Sequence, residues 1–204
     1  MTAPRLSAPA NPRHSSKSVE WASPPDVTAA ARVVMGGIDL DPASSPAANR
    51  VVGARTFYTR AQDGLARVWD ADRVWCNPPT PAAVWWRKLA HSWAHGFVDQ
   101  AVFLGFSVEF LQTTQAARVA AAGPPLPLDF PICFPSSRLR FARIRGDRLD
   151  TRPKCPSHAS CIVFLPPRAA PSRAVRTFVD VFGAFGRVTN VEGRAGRALS
   201  AIAS

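Results

Sequence analysis

The sequence predicts an α/β domain with a mostly parallel sheet and an antiparallel edge. Short apolar runs bounded by turn residues alternate with amphipathic helical stretches through the first half of the chain. One run, "QAVFLGFS" (Gln100 to Ser107), is almost continuously apolar, as in a strand buried on both faces. The late apolar runs "ICFPSSRLRF" and "ASCIVFLPP" come closely spaced, which predicts the antiparallel edge.

The elements follow in order. Residues 1–17, "MTAPRLSAPANPRHSSK", are basic, rich in Pro, Ser and Ala, and without periodicity; they read as a disordered arm. The folded part spans 18–192, and residues 193–204 read as a frayed basic tail. The first helix starts near Asp26, a cap candidate, buries Val27, Ala30, Ala31 and Val34, and ends at Gly36-Gly37. "IDLD", "RTFYT" and "RVWCN" are short strand candidates at 38–41, 55–59 and 73–77. Trp86, Leu89, Ala90 and Trp93 then follow helical spacing up to Gly96. Further on, "AVRTFVDVFGAFG" turns Val175, Phe178, Val179, Phe182 and Phe185 inward, and "RVTNV" closes the sheet.

The composition narrows the partners. The chain has 204 residues and a formal net charge of +11, from 25 Lys and Arg against 14 Asp and Glu. Nucleic acid is the first polyanion that this balance suits, ahead of an anionic membrane surface. The four cysteines, Cys76, Cys133, Cys155 and Cys161, are too scattered for a disulfide framework. The N-terminus lacks the apolar segment of a signal peptide, and no run approaches the roughly 20 apolar residues of a membrane span. A soluble, intracellular protein is expected.

Asn77-Pro78-Pro79 carries the chemistry. In an open α/β sheet, ligands bind at the carboxyl ends of the strands, where "VWCN" ends. Prolines donate nothing, but their carbonyls accept. The asparagine oxygen and a backbone carbonyl, held rigid, suit a substrate that presents an NH₂ group. The exocyclic amine of a nucleobase is a poor nucleophile, because its lone pair is delocalised into the ring. Two placed acceptors draw it towards a tetrahedral geometry without a strong base. The base must first leave the duplex stack.

A second group lies in "GIDLDPASSPAANR", where Asp39 and Asp41 flank a strand end before Pro42-Ala43-Ser44. An acid followed by small residues suits a cofactor with ribose hydroxyls or an ammonium group. It reads equally as Asp-Pro turn chemistry.

"EWASPP", "IDLDPASSPAANRVVGARTFYTRAQDGL", "VWCNPP" and "ICFPSSRLRF" occur in this order. The ordered set resembles the phage-type, Dam-like DNA N6-adenine methyltransferases, over roughly Val19 to Pro167. The resemblance implies a Rossmann-like methyltransferase domain over 18–192 and S-adenosylmethionine as cofactor. It implies that Ser23-Pro24, Asp41-Pro42-Ala43 and Asp63 line the cofactor, and that Asn77 and Pro78 hold the target amine, with Pro79 and Thr80 completing the motif. Trp85 and Lys88 match a Trp-x-x-Lys spacing of the family.

Three departures stand out. Thr80 occupies the position of a stacking Tyr or Phe, Ser23 replaces Thr with Ala22 in place of an aromatic residue, and "VFLGFS" lacks a following proline. A lost ring removes on the order of 1–3 kcal/mol per base. Thr80 before Pro81 also makes a good helix start, so it reads as a cap alone or as a cap that touches the base. Trp85, one turn further along, is the candidate replacement ring.

Arg138, Arg140, Arg143 and Arg145 alternate with apolar residues and suit DNA phosphates, though a charged edge strand gives the same pattern. With Lys88 they are the expected nucleic-acid contacts. Cys155, His158 and Cys161 have C-x₂-H-x₂-C spacing, but without an obvious fourth ligand no metal site is expected. Cys76 precedes Asn77 and reads as a buried strand residue rather than a nucleophile.

The leading expectation is therefore a DNA adenine methyltransferase that works in the cytoplasm of a bacterial or phage-infected host cell. No membrane and no obligate protein partner are expected. An N4-cytosine or modified-base enzyme is the alternative, because Thr80 widens the pocket. A degenerate fold that binds DNA without turnover is the third.

Overall fold

The computed structural model describes residues 20–116, 125–145, 148–150 and 159–191. The expected arm and tail, Cys155 and His158 lie outside these residues. The elements run β1 (Glu20–Ala22), α1 (Pro25–Met35), β2 (Leu40–Asp41), α2 (Pro46–Val52), β3 (Thr56–Phe57), β4 (Ala71–Cys76), α3 (Ala82–Ala94) and β5 (Val98–Phe106). They continue with α4 (Ser107–Ala116), β6 (Ile132–Pro135), β7 (Ala142–Arg145), β8 (Arg148–Leu149), β9 (Ser160–Leu165), α5 (Pro171–Phe182) and β10 (Gly186–Thr189).

The result is an α/β architecture with a seven-stranded mixed sheet of order β10-β6-β9-β5-β4-β2-β3. Strands β3, β2, β4 and β5 are mutually parallel. β9 inserts antiparallel between β5 and β6, and β10 pairs antiparallel with β6. The antiparallel edge therefore forms as expected. A separate antiparallel sheet has the order β1-β7-β8.

Strand β5 shows why its sequence is apolar throughout. Ala101 and Phe103 enter one core, which includes Trp86 and Leu89 of α3 and Phe110 of α4. Val102 and Leu104 enter the other, which includes Val27 of α1 and Phe178 of α5. Alternation sends successive side chains to opposite faces, and both faces are covered. Two buried indoles have their N–H groups satisfied: Trp86 donates to Pro125 O at 3.0 Å and Trp93 to Pro166 O at 2.9 Å.

Several expectations are corrected. Thr80 does not cap α3, because the helix begins at Ala82, Pro81 takes the cap position, and no side-chain cap bond forms. Asp26 lies within the first turn of α1 rather than at its cap; Pro24 holds that position. The strand expected over "ICFPSSRLRF" stops at Pro135, and β7 starts only at Ala142. Pro135 still pairs with Gly186 and Ser136 N donates to Phe185 O at 2.9 Å, after which the chain crosses to another sheet. Four elements were absent from the sequence reading: β1, α2, α4 and β8. α2 nonetheless has full terminal signals. Ser45 Oγ accepts from Ala48 N at 3.2 Å, Pro46 opens the helix, and Gly53 closes it at φ 67°.

The topology fixes where a ligand would sit. From β2 the chain steps outward to β3, then returns so that β4 pairs on the other side of β2. Strand order reverses there, and crevices for ligands open beyond the carboxyl ends of such strands. Those ends are Asp41 and Cys76-Asn77. Among the described residues no helix is long and apolar enough to cross a membrane.

Candidate functional site

β2 and β4 bring the two sequence motifs together. The parallel register sets Leu40 beside Val74, so Asp41 and Asn77 leave the sheet at neighbouring strand ends. Asn77 then meets a third segment. Its Nδ2 donates to Ser23 Oγ at 3.0 Å, across 54 positions of sequence. This bond fixes the amide's orientation, and Ser23 itself is buried. The other end of the amide, Asn77 Oδ1, is buried and has no hydrogen-bond partner. A buried acceptor left unpaired costs roughly 1–3 kcal/mol, which an incoming donor would relieve; Trp75 Nε1 and Ser160 Oγ are unpaired as well. Pro78 is buried behind it, while Pro79 and Thr80 are exposed. The Thr80–Pro81 peptide is cis.

Asp39 and Asp41 have opposite environments. Asp39 lies at the far end of the strand and takes Arg73 through both oxygens at 2.7 Å, with Arg55 at 3.4 Å. Arg73 holds its carboxyl below the usual range. It is a structural ion pair, not a site residue. Asp41 is 2% exposed, and burial pushes its carboxyl up to about 7, against the Ala43 amide and the Ser44 hydroxyl, which lower it. Ala43 N donates to Asp41 Oδ1 at 3.1 Å. Such a carboxyl would gain a cation's approach more than an exposed one would.

The Asp63 segment closes over this turn. Asp63 is exposed at φ 48°, and its Oδ1 accepts from Leu65 N at 3.2 Å. Next to it, a Cβ on Gly64 would lie 1.9 Å from Pro42 O and 3.3 Å from the Trp85 ring. Only glycine permits this approach. Gly64 O accepts from Trp69 Nε1 at 2.7 Å, and Trp69 stacks on Trp85 at 6.1 Å between centroids. Trp85 is therefore committed beneath the Pro42–Gly64 contact, and it is not the ring that replaces the one missing at Thr80.

Lys88 joins the same support rather than the arginine set. Its Nζ donates to Leu65 O at 2.7 Å and lies 5.5 Å from the Trp69 ring centre. Desolvation lowers its pKa. Arg138 and Arg140 are exposed on the segment before β7, and Arg143 is half-buried on β7. Cys76 is fully buried, and burial with the nearby Asp41 pushes its thiol well up, which leaves no thiolate for nucleophilic attack. Cys161 is buried in β9.

Ser23 as the anchor of Asn77, Gly64 as the seat of Pro42, and Trp69 and Trp85 as their floor are roles that sequence reasoning missed. The residue pair Asp63-Gly64 was visible; its backbone contact was not. No protein-family model, curated protein or solved structure matches the chain.

Proposed function

We propose that the chain transfers a methyl group from S-adenosylmethionine to the N6 amine of adenine in DNA, after the base leaves the stack. One observation carries this reading. Asn77 Oδ1 is buried without a partner, while Ser23 holds the Nδ2 end of the same amide. An acceptor fixed in that way suits an incoming N–H. The mixed sheet, with Asp41 and Asn77 at its switch point, is compatible with a Rossmann-like methyltransferase domain.

The residues present fit the cofactor. S-adenosylmethionine, when bound, supplies an electrophilic methyl group on a sulfonium and carries a cationic ammonium. Asp41 offers a buried carboxyl that a cation would ionise, and Asp63 an exposed carboxylate for hydroxyl groups. Asn77 Oδ1 and the Pro78 carbonyl would accept the two amine hydrogens. They pull the amine out of conjugation, so its lone pair points away from the ring. No strong base is needed; preorganised dipoles do the work. After transfer the nitrogen carries the positive charge that left the sulfonium, and it loses its proton to water, since neither carbonyl is basic enough to keep it.

Thr80 favours a second reading. Exposed and without a ring, it leaves room for the N4 of cytosine or for a modified base. Purified protein should move labelled methyl groups from the cofactor to unmodified DNA. Asn77→Ala should reduce transfer at least about 10²-fold, as loss of a preorganised group does, while cofactor binding stays measurable. Undiminished transfer by Asn77→Ala would remove the assigned role. Cofactor and DNA binding without transfer would leave only a degenerate fold.

A further inference from the structure

The small sheet has two unlike faces. Cross-strand partners share a face, and residues two apart along a strand share it too. Ala22 pairs with Ala142, and Ile144 with Leu149. These pack with Ala47 and Ala48 of α2, which makes one face inward. The other face holds Trp21, paired with Arg143, and the opposed positions Arg145 and Arg148. Trp21 is 37% exposed, an unusual exposure for the largest side chain, and Arg148 is exposed. Beside this face, Asp150 N donates to Arg143 O at 2.7 Å.

This face adjoins the candidate site. Ser23 follows β1 directly and precedes Pro24, and a residue before proline stays extended. Alternation therefore continues, and Ser23 lies on the side of Trp21, about 6.7 Å along the strand. Ser23 is the residue that holds Asn77. A base whose amine reaches Asn77 Oδ1 would have its ring within reach of the Trp21 indole.

We infer that Trp21 is the stacking platform for the extruded base, and that Arg143 and Arg148 hold the phosphates beside it. Aromatic rings between arginines bind unstacked bases in this way. The inference rests on the proposed function and supplies the ring that Thr80 lacks.

The test uses the full chain and a labelled, mixed-sequence single-stranded DNA, whose bases need no extrusion. Trp21→Ala should weaken binding roughly 5- to 150-fold, and Trp21→Phe should restore most of it. The salt slope should stay unchanged in both. Arg143→Ala with Arg148→Ala should instead flatten that slope by about 1.4, at about 0.7 per phosphate on single strands. Equal binding by Trp21→Ala and the parent overturns the inference, even if methyl transfer dependent on Asn77 is observed. Loss on Trp21→Ala with recovery on Trp21→Phe supports it, even if no methyl transfer occurs; in that case the proposed reaction fails separately. No binding of DNA by the parent chain overturns both.

Discussion

Asn77, half-buried with its Oδ1 fully covered, and Asp41, buried whole, have different needs. Asn77 has its donor end tied to Ser23 and its acceptor end open. Asp41 is the less settled group, since burial raises its pKa to about 7. Its folded pKa lies above its unfolded value, so its contribution to stability is fully present below pH ~4 and is lost as pH rises through about 7. A cationic cofactor reverses the preference, because it favours the carboxylate. Cofactor affinity should therefore fall up to about tenfold per pH unit below 7, with proton release on binding near pH 6–7. Asp41→Asn should weaken binding and flatten that dependence. Titration calorimetry in two buffers between pH 6 and 8 checks this; a parent affinity that is flat over that range contradicts it.

At the scale of elements, the turn after β2 and the loop at Gly64 form one unit. Pro42 O, Gly64, Trp69, Trp85 and Lys88 interlock with little free space. Gly64→Ala drives a methyl group into a backbone carbonyl, an overpacking that costs roughly 1–3 kcal/mol. The melting temperature should drop by several degrees, and cofactor affinity should drop with it. A thermal melt with and without cofactor decides the point: a variant that melts and binds like the parent contradicts the interlock. This unit also shows the reach of sequence reasoning. α1, α3, α5, β4 and β5 were legible because periodicity and turn residues are local signals. β1 has three residues and pairs with β7, some 120 positions away, so nothing local announces it. Lys88 was expected among the nucleic-acid contacts, and its bond to Leu65 O, 23 positions upstream, left no local signal. Thr80 looked like a cap because Thr before Pro is a good helix start, but the helix begins later.

For the whole molecule, topology does what no single motif can. Asp41 and Asn77 are separated along the chain, and strand reversal between β2 and β4 puts them at one crevice. That convergence follows from the parallel direction of β2 and β4, so the expected α/β class carried the site's location with it. The alternation of Arg143 and Arg145 was visible in the sequence, but the pairing of Arg143 with Trp21 was not, because it depends on β1 meeting β7 in a second sheet. The net charge of +11 pointed to a polyanion, and the arginine run from Arg138 to Arg145 to where it would bind. The central claim is methylation of an adenine amine held at Asn77. The most direct measurement is nucleoside mass spectrometry of DNA from cells that express the chain, beside cells that express Asn77→Ala. N6-methyladenine above background with the parent, and absent with the variant, is the predicted result. DNA that carries only N4-methylcytosine, or no new modified nucleoside at all, would contradict it.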